Sequence, residues 1–178
     1  MALEKYHLYR LEQDTEILPF ASTDDDLNEF LLDDAKKYLD DLLAVTYLFI
    51  DEQRQQTVAY FSLLNDRVTL DPEERSLWNR LNRRIANPKR KKSYPAVKVG
   101  RLAVSSQYAG EGVGKEILEY LSVLFTHRNR TGCRFLTVDA YQKATGFYQK
   151  CGFSYLSEKD KADPTRLMYF DLKTYSNR

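Results

Sequence analysis

The chain has 178 residues and a formal net charge of +1, and 43% of its residues are hydrophobic. This composition is typical of one globular domain and excludes an intrinsically disordered chain. No apolar run reaches the roughly 20 residues of a membrane-spanning helix, and the opening MALEKYHLYR carries charges where a signal peptide is apolar. We therefore expect a cytoplasmic protein without a membrane partner.

The apolar pattern predicts a mixed α/β protein. Strands are predicted over residues 6–11, 43–50, 57–64, 96–104, 134–140, 153–156 and 166–172. Helices are predicted from the N-cap Thr23 through residues 27–39, from Asp71-Pro72 to just before Asn87-Pro88, over residues 113–125 with Gly132 as the stop, and over residues 143–150. The polar connection between the second and third strands predicts a hairpin, and hence an antiparallel first half of the sheet.

Cysteine and histidine usage predicts neither a metal centre nor a Ser-His-Asp triad. Cys133 and Cys151 lack metal-ligand spacing, and His7 and His127 are the only histidines. We expect both thiols to be reduced packing residues.

Charge is segregated along the chain. Residues 14–41 are strongly acidic, whereas residues 75–92 contain no acid. The basic stretch falls in a helical insertion predicted at about 66–95, and its candidate RNA contacts are Arg80, Arg83, Arg84, Lys89, Arg90, Lys91 and Lys92. The alternative interpretation is a solvated basic helix, and the sequence leaves both open.

A glycine-rich turn is the strongest chemical signal in the chain. The segment VGRLAVSSQYAGEGVGK reads as a strand, a turn with Gly110, Gly112 and Gly114 at spacing two, and the start of a helix. Backbone N–H groups at such a turn, together with the helix N-terminus, favour a phosphate. The spacing is neither the dinucleotide fingerprint nor a nucleotide P-loop, so the turn predicts a different phosphorylated ligand.

The motifs RLAV, YAGEGVGK and FYQKCGF resemble those of the GCN5-related N-acetyltransferases (GNAT). The resemblance covers nearly the whole chain and implies one domain over residues 1–178. It also implies an α/β fold with a mixed, largely antiparallel central sheet, splayed fourth and fifth strands, and flanking helices. The cosubstrate implied is acetyl-CoA, with its pyrophosphate held by Ala109, Gly110, Glu111, Gly112, Val113, Gly114 and Lys115. The family usually has Gln or Arg where this chain has Ala109, so we expect weaker cofactor binding.

The same resemblance implies further site residues. The backbone of Leu102, Ala103 and Val104 would contact the acetyl and pantetheine portions. Tyr148 would be the general acid, because a tyrosine with a pKa near 10 is protonated at neutral pH; the alternative is a packing residue. Phe147 would pack against the cofactor. Tyr141 stands where many relatives carry an asparagine that contacts CoA.

The expected reaction is direct transfer of the acetyl group to a primary amine. No general base is evident, which favours an α-amine, whose pKa of about 7.7 leaves part of it neutral. The segment FASTDDDLNEFLLDDA resembles a toxin-like branch of the family that acetylates aminoacyl-tRNA. A small-molecule or peptide amine is the first expectation for the acceptor, with aminoacyl-tRNA and a protein lysine as alternatives, and a non-catalytic CoA-binding module is the alternative to an enzyme. We expect a monomer or a homodimer.

Overall fold

The computed structural model describes residues 2–69, 71–83, 85, 92–127 and 131–175. Its strands are β1 (His7–Arg10), β2 (Val45–Asp51), β3 (Gln56–Thr69), β4 (Ser93–Val104), β5 (Phe135–Tyr141), β6 (Ser154–Tyr155) and β7 (Thr165–Asp171). Its helices are α1 (Asp25–Glu29), α2 (Ala35–Asp40), α3 (Arg75–Asn82), α4 (Val113–Thr126), α5 (Thr145–Lys150) and α6 (Leu172–Tyr175). A π-helical segment, Phe30–Asp34, joins α1 to α2.

The strands form one sheet in the order β1-β2-β3-β4-β5-β7-β6. The pairs β1–β2, β2–β3, β5–β7 and β6–β7 are antiparallel. Strands β4 and β5 are parallel, and α4 lies in the crossover connection that a parallel pair requires. Their register comprises three pairs and ends at Lys98–Thr137, which confirms the predicted mixed sheet with splayed fourth and fifth strands.

The chain divides into two compact units. The first consists of Met1–Leu64 with Val99–Leu121, and the second of Asn65–Lys98 with Ser122–Arg178. The core of the first unit is made by buried side chains from β2, β3, β4 and the helical layer: Leu11, Phe30, Leu31, Ala35, Leu48, Ile50, Tyr60 and Ala103. Burying each large apolar side chain stabilises the fold by about 1.5–3 kcal/mol.

The second unit has its own core. Helix α3 contributes Trp78 and Leu81, which pack on buried residues of the sheet such as Phe135. The Trp78 ring stacks on Tyr94 with centroids 5.0 Å apart, and the Tyr94 hydroxyl donates to Asn82. Helix α3 is therefore held by packing on one face, as its predicted apolar stripe requires.

Several predicted boundaries are wrong. Strand β3 continues to Thr69 and β4 begins at Ser93, so both ends of the predicted insertion at 66–95 are strand. Helix α3 begins at Arg75 because Asp71 first forms a turn, its carboxylate accepting a hydrogen bond from the Glu73 N–H at 2.9 Å. The end predicted at Asn87-Pro88 lies outside the described residues.

Two predicted helix ends also differ. The N-cap of α1 is Asp24 rather than Thr23, and its N–H donates to the Ser22 hydroxyl at 3.2 Å. Helix α4 ends at Thr126, well before Gly132, where the Thr126 hydroxyl donates to the Ser122 carbonyl at 2.6 Å and so satisfies an acceptor of the last turn.

Candidate functional site

The glycine turn has a backbone that only glycine adopts readily. Gly110 and Gly112 have φ of 84° and 83°, in the left-handed region. A Cβ built at either position meets no atom within 4 Å, so backbone conformation and not crowding demands glycine there. Residues 109–112 are exposed. The turn therefore offers its backbone to a ligand from open space.

The turn leads directly into the N-terminus of α4. Buried Val113, which is 1% exposed, fixes the start of the helix in the first unit. The N–H of Glu116 donates to the Gly112 carbonyl at 3.1 Å. The N–H groups before Glu116 have no acceptor within the helix and carry part of the positive end of the helix dipole. Ala109 through Lys115, all predicted to bind the cofactor, thus lie together in the turn and the first helical turn of α4.

The charged side chains around the turn are mostly engaged with one another. Glu111 pairs with Lys5 at 3.6 Å, and Lys115 pairs with Glu119 at 3.7 Å. The carboxylate of Glu116 accepts the Leu3 N–H at 2.8 Å. The one carboxylate inside the turn, that of Glu111, is therefore partly neutralised, which reduces its repulsion of a bound phosphate.

The predicted acetyl-contacting residues lie at the end of β4. Ala103 is buried, and Leu102 and Val104 are half-buried. The segment is tied to β3 by the Ser105 N–H, which donates to the Val58 carbonyl at 2.8 Å. Because the register with β5 ends at Lys98, the backbone of these three residues lies beyond the part of β4 that pairs with β5.

Tyr148 lies in the second unit, on α5. Its side chain is buried, with Phe147 and Phe153 packed edge-on at ring distances of 5.1 and 5.4 Å. Burial, and to a smaller extent Cys151, raises the pKa of the Tyr148 hydroxyl above its ordinary value. The phenol is therefore protonated at neutral pH, and this hydroxyl makes no hydrogen bond to the described residues.

The two neighbouring aromatic candidates are more accessible. Phe147 is 37% exposed. Tyr141, at the end of β5, is half-buried, and the ammonium of Lys143 lies 5.7 Å from its ring centroid.

Only part of the predicted basic segment is described. Arg80 and Arg83 are exposed on the face of α3 opposite buried Trp78 and Leu81, as a turn of 100° per residue requires. Lys92 is also exposed. The remaining candidates lie outside the described residues: Arg84, Lys89, Arg90 and Lys91.

A further cation, Arg101, was not predicted from the sequence. It precedes Leu102 on β4, and its guanidinium carbon lies 5.0 Å from the Phe30 ring centroid. One Nη donates to the Gly100 carbonyl at 2.9 Å. A basic residue inside the apolar run VGRLAV is the signal that could have drawn attention to it.

Among the described residues, no three or more His, Cys, Asp or Glu side chains are grouped to hold a metal ion. Nor does that part of the chain contain a helix with the length and apolar character needed to traverse a bilayer.

Comparison with known proteins matches one segment of the chain to a family and the whole fold to solved structures. Residues 81–155 match the family model described as an acetyltransferase (GNAT) domain. The chain is similar to a solved structure of a tyrosine-to-phenylalanine mutant of the AtaT toxin, bound to the C-terminus of the antitoxin AtaR and to acetyl-CoA. The two are 19% identical over 96% of this chain and 95% of that chain, with a TM-score of 0.72.

Two further solved structures give the same result. A tyrosine-to-phenylalanine mutant of KacT is 20% identical over 96% of this chain and 98% of that chain, with a TM-score of 0.73. AtaT complexed with acetyl-methionyl-tRNAfMet is 20% identical over 96% of this chain and 98% of that chain, with a TM-score of 0.69. At such identities these likenesses show a common fold. The matched segment spans both the glycine turn and Tyr148, so this part of the chain resembles an acetyltransferase (GNAT) domain, and the solved structures show that the chain shares that fold.

Proposed function

We propose that this chain transfers the acetyl group of acetyl-CoA directly to the primary amine of an acceptor. The observation that carries the proposal is the solvent-open turn with Gly110 and Gly112 in the left-handed region at the N-terminus of α4. Backbone N–H groups of this turn would bind the pyrophosphate of the cosubstrate. Ala109 offers no side-chain donor, so backbone contacts carry this interaction.

The end of β4 would orient the thioester. The backbone of Leu102, Ala103 and Val104 lies beyond the register with β5, so it can hydrogen-bond to the acetyl and pantetheine groups. A fixed N–H donor at the thioester oxygen would stabilise the charge that develops there as the amine attacks.

Tyr148 is proposed as the general acid. As the new N–C bond forms and the C–S bond breaks, its hydroxyl would donate a proton to the departing sulfur, and the amine would release its proton to solvent. The raised pKa of Tyr148 supports this role because it keeps the phenol protonated at neutral pH. The same burial also suits a packing role, so the two roles need an experiment to separate them.

Calorimetric titration with acetyl-CoA tests the first step. We expect saturable binding that Gly112→Ala weakens. Absence of binding at millimolar acetyl-CoA would refute the proposed function. Binding without turnover on a broad amine panel would support the alternative of a non-catalytic CoA-binding module.

For the acceptor, an aminoacyl-tRNA is a specific candidate beside a small-molecule or peptide amine. Similarity to AtaT complexed with acetyl-methionyl-tRNAfMet supports it. So do Arg80 and Arg83, which are exposed and make no ion pair with the described residues. A plot of log affinity against log salt concentration has a negative slope, and each phosphate that these residues neutralise should steepen that slope by about 0.7–0.9.

Charge reversal tests the tRNA candidate. In the variant Arg80→Glu/Arg83→Glu we expect weaker methionyl-tRNA binding, a shallower salt slope and unchanged acetyl-CoA affinity. The matched control is Lys150→Glu/Lys161→Glu, which makes the same charge change at two exposed lysines of the same unit. If both variants behave alike, the arginines of α3 are solvated surface, and the acceptor is to be sought among free amines.

A further inference from the structure

Arg101 is placed on a rigid aromatic platform within the first unit. Its guanidinium lies over Phe30, which stacks on Tyr60 with centroids 6.2 Å apart and planes at 15°. Phe20 contacts the Tyr60 ring edge-on at 5.4 Å, and the Tyr60 hydroxyl donates to the Leu27 carbonyl at 2.6 Å. Phe30 and Tyr60 are 4% and 0% exposed. The guanidinium is therefore oriented before any ligand arrives.

The hydrogen-bonding capacity of Arg101 is largely unused. A guanidinium has five N–H donors, and the described residues engage one, through the Gly100 carbonyl at 2.9 Å. Its Nε is buried and has no hydrogen-bond partner. The carboxylate of Asp26 is 4.0 Å from Nε, beyond hydrogen-bond distance, and its side chain is 57% exposed. Leaving a buried donor unpaired is costly, so a ligand is a natural partner.

The backbone beneath the platform is irregular. Phe30 opens the π-helical segment Phe30–Asp34, and the Ala35 N–H donates to the Phe30 carbonyl, a bond that spans five residues. Such segments occur frequently at functional sites. The Arg101 side chain is 37% exposed, so a solvent-borne group can reach it.

We propose that Arg101 binds an anionic group of the acceptor, either a carboxylate or a phosphate, and so selects acceptors that carry one. This proposal rests on the proposed acetyl transfer, because it concerns the second substrate of that reaction. Arg101 directly precedes the β4 residues proposed to orient the thioester, and a guanidinium binds both kinds of anion through two parallel hydrogen bonds. Its role is positioning and selection, and it takes no part in proton transfer.

Paired acceptors that differ by one anionic group test the proposal. Methionine and methioninamide report on a carboxylate; methionyl-tRNA and 3′-methionyl-adenosine, which lacks phosphate, report on a phosphate. The informative pair is the one whose members the wild-type protein acetylates. For Arg101→Met we expect kcat/KM to fall roughly 10- to 100-fold with the acceptor of that pair that carries the anionic group, mainly because KM rises. With the acceptor that lacks the anionic group, kcat/KM should change little. Arg101→Lys should recover part of the loss.

Arg54 provides the matched control. It is a second arginine of the first unit over an aromatic ring, 5.9 Å from Tyr108, and it has a carboxylate at nearly the same distance as Arg101 has: Asp51 lies 3.9 Å from Arg54 and Asp26 lies 4.0 Å from Arg101. Arg54→Met should leave the ratio between paired acceptors unchanged. Equal losses for charged and uncharged acceptors in Arg101→Met, with a lowered melting temperature, would assign Arg101 to the fold and overturn the proposal.

A binding measurement covers the case in which no acceptor is turned over. Calorimetry with acetyl-CoA tests the proposed function separately, because wild-type protein and Arg101→Met should bind acetyl-CoA with equal affinity. Calorimetry with methionine and with deacylated tRNA reports on Arg101 itself, and we expect at least one to bind, more weakly in Arg101→Met. Absence of any difference between the two proteins would overturn the proposal even if acetyl-CoA binds.

Discussion

Replacing Gly112 with alanine separates the conformation of the turn from its ligand. An L-residue in the left-handed region costs about 1–2 kcal/mol relative to its ordinary conformation, and Gly112 has φ of 83°. Alanine also reduces the entropy of the unfolded chain, which returns about 0.4–1 kcal/mol. Because no atom lies within 4 Å of the added Cβ, no steric cost is expected. The net expected loss of unfolding free energy is about 1 kcal/mol.

Gly132→Ala is the control for this change. Gly132 also has open space around its Cβ position and lies outside the left-handed region. Both variants share the entropy gain of the unfolded chain, so the difference between their unfolding free energies isolates the left-handed cost, about 1–2 kcal/mol. Urea denaturation measures it, and acetyl-CoA calorimetry should show roughly tenfold or greater weakening only in Gly112→Ala, where the methyl group blocks close backbone approach. Equal stability and equal affinity of the two variants would refute this reasoning.

Three further predictions follow from buried groups. Tyr148→Phe should lower kcat by roughly 10²–10⁴-fold with unchanged acetyl-CoA affinity, and an unchanged kcat in steady-state assays would make Tyr148 a packing residue. Burial raises the pKa of the Cys133 thiol to about 11, against about 9 in the unfolded chain. The neutral thiol should therefore make its full contribution to the free energy of unfolding below pH 9, and that contribution should be lost as the pH rises to about 11. Denaturation of the wild type and of Cys133→Ala at pH 7, 9 and 11 measures this loss. Asp160→Ala should lower the free energy of unfolding by about 3–5 kcal/mol, because it removes the carboxylate that lies 2.7 Å from the guanidinium of Arg166, a residue only 5% exposed. A loss below about 1 kcal/mol in urea denaturation would contradict this prediction.

The sequence was sufficient for the order of the elements from β1 to β7 and for the glycine turn, but it did not predict the short helix α6. Both depend on local rules: apolar periodicity defines strands and helices, and a left-handed turn before a helix needs glycine. Gly110 and Gly112 have the positive φ that their motif implies. The splay of β4 and β5 came from the family resemblance, since no periodicity reports where a register ends.

Strand β3 shows why the insertion was misplaced. Asn65 and Asp66 read as the start of a loop because polar residues interrupt the apolar run. In the fold, the Asp66 carboxylate accepts a hydrogen bond from the Thr137 hydroxyl at 2.5 Å and lies 3.9 Å from the Lys98 ammonium. These partners are distant in sequence, so a local pattern cannot anticipate that they stabilise a strand.

The candidate site could be predicted only where backbone chemistry defines it. The burial that raises the pKa of Tyr148 depends on Phe147 and Phe153 closing around its ring, which requires the folded packing. Arg101 was not predicted because the feature that distinguishes it is a missing hydrogen bond at its Nε. An unpaired buried Nε is a property of the tertiary structure alone.

The π-helical segment Phe30–Asp34 has a consequence for changes in chain length. A π turn closes its hydrogen bond over five residues, one more than an α turn, so it holds one additional residue without ending the helix. Here the extra residue lets neighbouring Phe30 and Leu31 both face the core, with Ala35 also buried after the bulge. Deleting Leu32, which is 54% exposed, would place Ala35 four residues after Phe30, so the same hydrogen bond would close an ordinary α turn and the flanking helices would keep their facing. This segment is therefore expected to tolerate removal of that exposed residue, whereas a further inserted residue would turn one flanking helix by about 100° relative to the other.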